Sequence, residues 1–374
     1  MKIILCGSEA LSLKKFRGDL IIDLVSKGHE VIVMVNNASD RHLRDIASLG
    51  ARYINSPISR ASLNPFKDAV VLLKFLKVFI VEKPDCVLSY TVKPVVWSGI
   101  VLRFFPKIRF IAMITGLGYA FGGKGSSRVF VKTVVKLLYK LALSDACAVI
   151  FQNPDNKASF VELGLTDPKK AYVVNGSGVN LKHFSFYPHF ANEKRVSFLM
   201  IARLLKDKGV NEFLSAARII KSEYNNVDFI LLGHEEKSKN SVPLAEIINL
   251  DHEGVISYCG FVDDVREFLV NSTVYVLPSY HEGMPRSVLE AMAIGRPVIT
   301  TNVPGCRETV VNGINGWLVP KEDSEALAEK MRWFIDNQSK ISQMGFNSRE
   351  IAVKKFDVQK INKDILDIIT LSEH

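Results

Sequence analysis

Several things this chain lacks narrow its reading before any motif is found. It has no apolar run of the roughly 18 residues a membrane helix needs, so a spanning segment is not expected. Its cysteines are few and scattered: five (6, 86, 147, 259 and 306), odd in number and in no metal-ligand spacing. That pattern excludes a disulfide framework and a zinc site. Cys6, Cys86 and Cys147 sit in apolar runs and read as buried small hydrophobes, which fits a reducing cytosol. In that compartment the sequons at Asn175 and Asn271 are chance matches. The start, Met1-Lys2-Ile3-Ile4-Leu5-Cys6-Gly7, reads as a strand leading to a glycine turn, without a signal-peptide cleavage pattern. No G-x-G-x-x-G follows it, which argues against a Rossmann dehydrogenase. Short-period repeats and low-complexity segments are also missing. Acid is missing locally. Between Asp85 and Asp145 there is none, while nine Lys or Arg stand there.

What is present suits a folded α/β chain of two domains. The 374 residues exceed one ordinary core, and 48% hydrophobic with 23% charged residues is the balance of a globular protein. The formal charge of +9 is uneven. Residues 1–150 carry 22 Lys/Arg against 10 Asp/Glu, and residues 151–374 carry 26 against 29. Apolar runs at 2–6, 30–35, 85–89, 109–114 and 146–151 alternate with helix-like segments near 14–28, 64–83, 94–105, 127–143 and 154–164. A second series runs through 196–202, 227–232, 255–258, 273–277 and 297–300. Such alternation predicts βα units and parallel sheets, hence two Rossmann-like domains facing across a cleft. The aromatic, irregular stretch from Phe184 to Lys194 reads as the linker. This sets domains at 1–188 and 195–355, and residues 356–374 as a terminal amphipathic helix with Ile361, Ile365, Ile368 and Ile369 on one side.

Two constellations carry the chemistry. The first runs from His281 to Arg296. Glu282 lies in a Gly/Pro loop after Val274-Tyr275-Val276-Leu277, and Glu290 lies within an Ala/Met/Leu stretch that must be a buried helix. A glutamate is almost never fully buried without a partner. Pro285 suits the first helical position, so Gly283 and Met284 precede a helix N-terminus, where N–H groups and the macrodipole favour anions. The second constellation follows Val196–Ala202. Arg203 stands at the strand's carboxyl end, where open parallel sheets bind ligands. Lys208 stands at the next helix's start, a poor place for a cation on dipole grounds alone. Two cations at the mouth of a βα unit make sense if they neutralise a diphosphate.

Together these stretches resemble the nucleotide-sugar half of the retaining glycosyltransferases of family 4, with E-x7-E at Glu282 and Glu290 and R-x4-K at Arg203 and Lys208. Leu231-Leu232-Gly233, Tyr258-Cys259-Gly260-Phe261-Val262 and Val303-Pro304-Gly305-Cys306-Arg307-Glu308 continue the likeness over most of residues 195–320. The resemblance implies the GT-B fold, with a last helix that crosses back to the first domain, and a UDP-sugar donor. It also implies roles. Arg203 and Lys208 offset charge on the departing diphosphate. Glu290 holds the ribose hydroxyls, Glu282 contacts the donor sugar near the reacting face, and Gly260 and Phe261 lie by the uracil. No D-x-D triad occurs in the chain, so no metal and no other cofactor is expected. Gly7 is a further donor candidate, since a glycine turn lets backbone approach a diphosphate; a plain strand-exit turn is the alternative. The Thr115-Gly116-Leu117-Gly118 loop, with Tyr119 and Lys93, supplies acceptor or cleft candidates. Many family members place a His in this loop region; this chain does not.

The first half sharpens the likeness. Ser59–Asp68, Ser89–Pro94 and Ile114–Phe121 look like a bacterial subgroup that includes enzymes adding α-1,3-N-acetylgalactosamine to a sugar on undecaprenyl diphosphate, in N-glycan and O-antigen assembly. This implies transfer of an N-acetylhexosamine to a polyprenyl-diphosphate-linked saccharide. Lys124, Arg128, Lys132, Lys136 and Lys140 recur every four residues beside an apolar stripe. That is how a helix lies on an anionic membrane, and it predicts peripheral attachment to the inner face of the plasma membrane. The bland alternative is a core helix whose lysines merely solvate its back. Nucleic acid is not an expected partner, because no recognised motif accompanies the charge. A UDP-sugar 2-epimerase and a non-catalytic nucleotide-sugar scaffold are the competing functions. The basic first domain opposes the former, and the intact Arg203, Lys208, Glu282 and Glu290 set opposes the latter.

Overall fold

The computed structural model describes residues 1–58, 65–116, 126–188, 195–236 and 238–370, with backbone alone at 65–67 and 126–131. The chain divides into two compact units: Met1–Ser177 with the chain from Gln359, and Gly178–Val358.

In the first unit the strands are β1 (Lys2–Glu9), β2 (Glu30–Asn36), β3 (Arg52–Asn55), β4 (Cys86–Tyr90), β5 (Arg109–Ile114), β6 (Ala148–Phe151) and β7 (Ala171–Val173). Between them run α1 (Leu13–Ser26), α2 (Asp40–Ser48), α3 (Pro65–Glu82), α4 (Val92–Leu102), α5 (Ser126–Leu143) and α6 (Pro154–Glu162). The sheet order is β3-β2-β1-β4-β5-β6-β7, all parallel. Ile3 and Leu5 face one core and Ile4 and Cys6 the other. A strand buried on both faces needs an unbroken apolar run, and that is why β1 and β4 stand out in the sequence. The edge strands β3 and β7 have exposed or half-buried positions and no such run, and the apolar pattern gave no sign of them. Cys6 and Cys86 lie inside strands and are buried, but Cys147 is exposed, against expectation. It stands one residue ahead of β6, where the sheet does not yet cover it.

The second unit contains β8 (Val196–Ile201), α7 (Val210–Glu223), β9 (Val227–Leu232), α8 (Leu244–His252), β10 (Ser257–Tyr258), α9 (Arg266–Val270), β11 (Val274–Leu277), α10 (Arg286–Ile294), β12 (Val298–Thr301), β13 (Gly316–Val319), α11 (Ser324–Asp336) and α12 (Ile341–Lys355). Its parallel sheet has the order β10-β9-β8-β11-β12-β13. Phe184, read from sequence as linker, is buried in this unit's core, and the Tyr187 N–H donates to the Ile294 carbonyl at 2.9 Å. Those contacts tie the stretch from Gly178 to the second unit, ahead of the boundary at 188 read from sequence.

The last helix, α13 (Val358–Thr370), puts Ile361, Ile365, Leu366, Ile368 and Ile369 into the first unit's core beside Ile3 and Leu5. Each such side chain contributes about 1.5–3 kcal/mol of burial, and Asn362 Nδ2 donates to Asp23 Oδ2 at 2.6 Å. Both sheets reverse strand order once, between β1 and β4 and between β8 and β11. There neighbouring crossovers diverge and a crevice opens at the carboxyl ends of the strands.

Candidate functional site

In the second unit the crevice is framed by the loops leaving β8 and β11, and both glutamate and both cation candidates stand on or beside them. After β8 the chain turns through Leu204, fully buried, and a 3-10 turn at Lys206–Lys208 into Gly209, whose φ is +74°. A Cβ on Gly209 would sit 2.1 Å from the Pro278 carbonyl oxygen, so only glycine lets the two loops approach this closely. The Asp207 carbonyl then accepts from the Tyr280 N–H at 2.9 Å and the Ser279 hydroxyl at 3.1 Å. This stitching brings Lys208 Nζ to 2.6 Å from Glu282 Oε1, with both side chains less than one-fifth exposed. Arg203, at the start of the same loop, pairs through Nη1 with Glu236.

Downstream, Pro285 is the N-cap of α10, not its first helical residue; its ψ of 103° is extended. No side chain caps the helix and no acid lies in its first turn, so its N-terminal dipole is not satisfied by a local carboxylate. Gly283 and Met284 are buried there. The opposite wall is the 302–306 segment. Gly305, with φ +86°, would place a Cβ 2.4 Å from the Glu282 carbonyl. Glu290 is 3% exposed, and its partner is Arg286, one turn back, with Nε to Oε1 at 2.9 Å. The Tyr275 hydroxyl donates to the Ile201 carbonyl at 3.2 Å. Burial, and then the nearby Glu290 and Glu282 carboxylates, push its ionisation above the ordinary tyrosine value. Burial first, and the Glu282 charge second, push the Cys306 thiol up to about 12. The site therefore holds two carboxylates in close electrostatic reach of Tyr275, with a lysine bound directly to one of them.

Gly260 and Phe261 flank the same sheet edge. The Gly233 N–H donates to the Gly260 carbonyl at 2.8 Å, and the Tyr258 hydroxyl donates to the Gly233 carbonyl at 2.9 Å. Phe261 is 60% exposed, and its ring stands edge-on to His234 at 5.6 Å. An exposed aromatic in a pinned glycine turn is a flat surface on which a heterocycle stacks. Here β9 and β10 converge with the Arg203 loop, since the Leu204 N–H donates to the His234 carbonyl at 3.1 Å.

In the first unit, Gly7 has a local reason to be glycine: a Cβ there would lie 2.2 Å from the Tyr90 hydroxyl. Ser8 and Thr91, at the ends of β1 and β4, bond to each other at 2.6 Å. Lys93 is paired with Asp68 at 3.1 Å. Thr115 and Gly116 directly follow β5 and are half-buried. Tyr119 and the Arg128 side chain lie outside the described residues. Lys132 and Lys136 are half-buried on α5 and Lys140 is exposed.

Sequence reasoning missed Arg286, Glu236 and His234. The first was legible, because a cation four residues before a buried helical glutamate is a ready partner. The other two lie in a loop without periodicity, and only their place after a strand marks them.

The chain is similar to known proteins along nearly its whole length. Residues 182–351 match the family described as "Glycosyl transferases group 1", and residues 11–153 match "Glycosyl transferase 4-like". The chain is 31% identical over 372 residues, 95% of its length and 94% of the relative's, to the N,N'-diacetylbacillosaminyl-diphospho-undecaprenol alpha-1,3-N-acetylgalactosaminyltransferase of Campylobacter jejuni. It is 26% identical, over 87% of its length and 85% of the relative's, to the UDP-Gal:alpha-D-GlcNAc-diphosphoundecaprenol alpha-1,3-galactosyltransferase of Escherichia coli. Among solved structures, HepE of Anabaena in complex with UDP superposes with a TM-score of 0.79, covering 99% of this chain and 100% of that one at 18% identity. Two Rossmann-like parallel sheets, the E-x7-E and R-x4-K residues on the loops and first helix turns of one switch point, and relatedness along nearly the whole chain lead to one assignment: the protein belongs to the family 4 glycosyltransferases of GT-B fold.

Proposed function

We propose that the protein is a retaining transferase that moves an N-acetylhexosamine, with N-acetylgalactosamine in α-1,3 linkage as the leading choice, from its UDP donor to an undecaprenyl-diphosphate-linked saccharide in bacterial surface-glycan assembly. The observation that carries this reading is the Lys208–Glu282 pair at the switch point, 2.6 Å apart. It sets a cation for the diphosphate against a carboxylate for the sugar within one hydrogen bond. The named activities of the Campylobacter and Escherichia relatives support the lipid-diphosphate acceptor, and the latter's name supports a UDP donor.

In this reading the bond between the anomeric carbon and the β-phosphate oxygen breaks, and the electron pair leaves with UDP. Arg203, Lys208 and the amides around Gly283 and Met284 stabilise that charge, so activity requires no divalent metal. The acceptor hydroxyl forms the new bond on the same face and gives its proton to the departing phosphate oxygen. Glu282 orients the donor sugar and Glu290, held by Arg286, takes the ribose hydroxyls. Phe261 and Gly260 receive the uracil. Lys93, Thr115 and Gly116 are assigned to the acceptor side, and Tyr119 with them on sequence grounds.

Peripheral binding to the anionic inner face of the plasma membrane is part of the proposal. Among the described residues no helix is long and apolar enough to cross a bilayer. On α5, Val134, Leu137 and Leu141 are themselves exposed beside Lys140, which a simple core helix does not explain. On α3, Val70, Leu73, Ile80 and Val81 are more than half exposed around Lys77. Basic and apolar groups together on a surface match the demands of an anionic bilayer. The direct test is incubation with a panel of labelled UDP-sugars and undecaprenyl-diphosphate saccharides, with products scored by chromatography and the linkage read by NMR. UDP-N-acetylgalactosamine is expected to give an α-linked product, and a β-linked product or transfer only from non-uridine donors would refute the reading.

A further inference from the structure

At the amino end of β5, the sheet edge opposite Thr91 and Thr115, a cavity of about 230 Å³ lies between the end of α4, the 103–108 segment and the entry to β6. Leu102, Phe105 and Phe110 line it, with Arg103, Arg109 and Asp145 as its charged residues. The Arg109 Nε, Nη1 and Nη2 atoms are all buried, and none has a hydrogen-bond partner among the described residues. A guanidinium brings five donors, and burying such a charge without an acceptor is strongly unfavourable. Asp145 does not relieve it, because its carboxylate is taken by Arg103 Nε at 3.3 Å at the exposed mouth. The backbone makes the position rigid: the Arg109 N–H donates to the Asp85 carbonyl at 3.0 Å, and Phe110 accepts from the Cys147 N–H at 2.8 Å.

We propose that this cavity is an anion site that receives a phosphate ester, the Arg109 side chain turning its buried guanidinium into it, with Arg103 at the entrance. The planar fork of a guanidinium matches phosphate oxygens two at a time. The cavity is smaller than the roughly 300–1,000 Å³ of sites that enclose whole drug-sized ligands, so it takes a head group or a small phosphate, not a nucleotide sugar. Its setting favours phosphate over neutral ligands: Lys107 adds charge on the same segment, and no acid occurs between Cys86 and Ser144. Beside it Phe104 is 77% exposed. The same chemistry is offered by a soluble phosphate ester and by an anionic phospholipid head group.

Cys147 lines the cavity and is exposed, so its alkylation reports occupancy. In a Cys259→Ser background, which removes the other exposed thiol among the described residues, the rate of Cys147 modification by N-ethylmaleimide is followed by mass spectrometry. The additions are glycerol phosphate, phosphatidylglycerol vesicles, phosphatidylcholine vesicles, or chloride at matched ionic strength. Slowing by glycerol phosphate assigns the site to soluble esters, and slowing by phosphatidylglycerol alone assigns it to lipid. Arg109→Met is expected to raise the concentration needed for protection by about tenfold or more. It should also melt no lower than the parent, since it removes an uncompensated buried charge. Should Arg109→Met not fold, Arg103→Gln is expected to weaken protection in the same assay. No protection by either phosphate probe, equal protection by phosphatidylcholine, or undiminished protection in the folded variants overturns the proposal.

Discussion

Glu290 shows how far one residue constrains its surroundings. A carboxylate among Ala, Met and Leu must be paired, and the pairing with Arg286 over one helical turn answers that need at 2.9 Å. The need was readable from the sequence, and so was the spacing. Glu236, which holds Arg203, was not readable, because loop side chains obey no period. Removing Glu290 outright would take from the Arg286 guanidinium, only 10% exposed, the carboxylate it donates to, so Glu290→Gln is the cleaner probe. It is expected to weaken UDP binding about tenfold or more with the fold intact by circular dichroism. Lys208→Ala is expected to lower transfer by about 100-fold or more, the usual effect of losing a preorganised charge partner of the leaving group, with the chain still folded by circular dichroism. Full activity in Lys208→Ala would remove the residue from the mechanism.

At the scale of elements, the strands and helices that carry the site were legible because they are buried on both faces or strongly patterned. The edge strands β3, β7 and β13 were not, being short and partly exposed. The surface of α3 was hidden for a different reason. Its apolar period looks like that of a core helix, and only the structure shows Leu73 at 66% and Val81 at 67% exposure. If α3 and α5 meet the bilayer, Leu73→Glu and Leu137→Glu should each reduce binding to phosphatidylglycerol vesicles about tenfold without altering UDP affinity. Unchanged sedimentation with vesicles would dismiss these helices as the contact. In the second unit, Gly209→Ala must both adopt φ +74° and displace the Pro278 carbonyl. Its cost should exceed about 1 kcal/mol by urea denaturation, with a matching loss of UDP binding.

For the whole molecule, the two parallel sheets followed from alternating βα units, but the unit boundary did not. The aromatic stretch around Phe184 looks irregular in sequence and is in fact anchored in the second core. Buried thiols in both units predict an alkaline limit. Burial pushes Cys6, Cys86 and Cys306 from 9.0 to about 12. The unfolded chain therefore releases protons that the folded chain keeps. Stability present below pH 9 should decline as the pH rises from 9 towards 12. Cys86→Ala should make that decline shallower in urea midpoints taken across the window, and an unaltered slope would assign alkaline unfolding to other groups.

The central claim is that the second unit binds uridine diphosphate through Arg203, Lys208 and backbone amides, independently of a metal. Calorimetric titration of the protein with UDP in excess EDTA tests it most directly. Saturable binding at one site per chain, weakened in Lys208→Ala, is expected. Binding that appears only when manganese or magnesium is restored would contradict it.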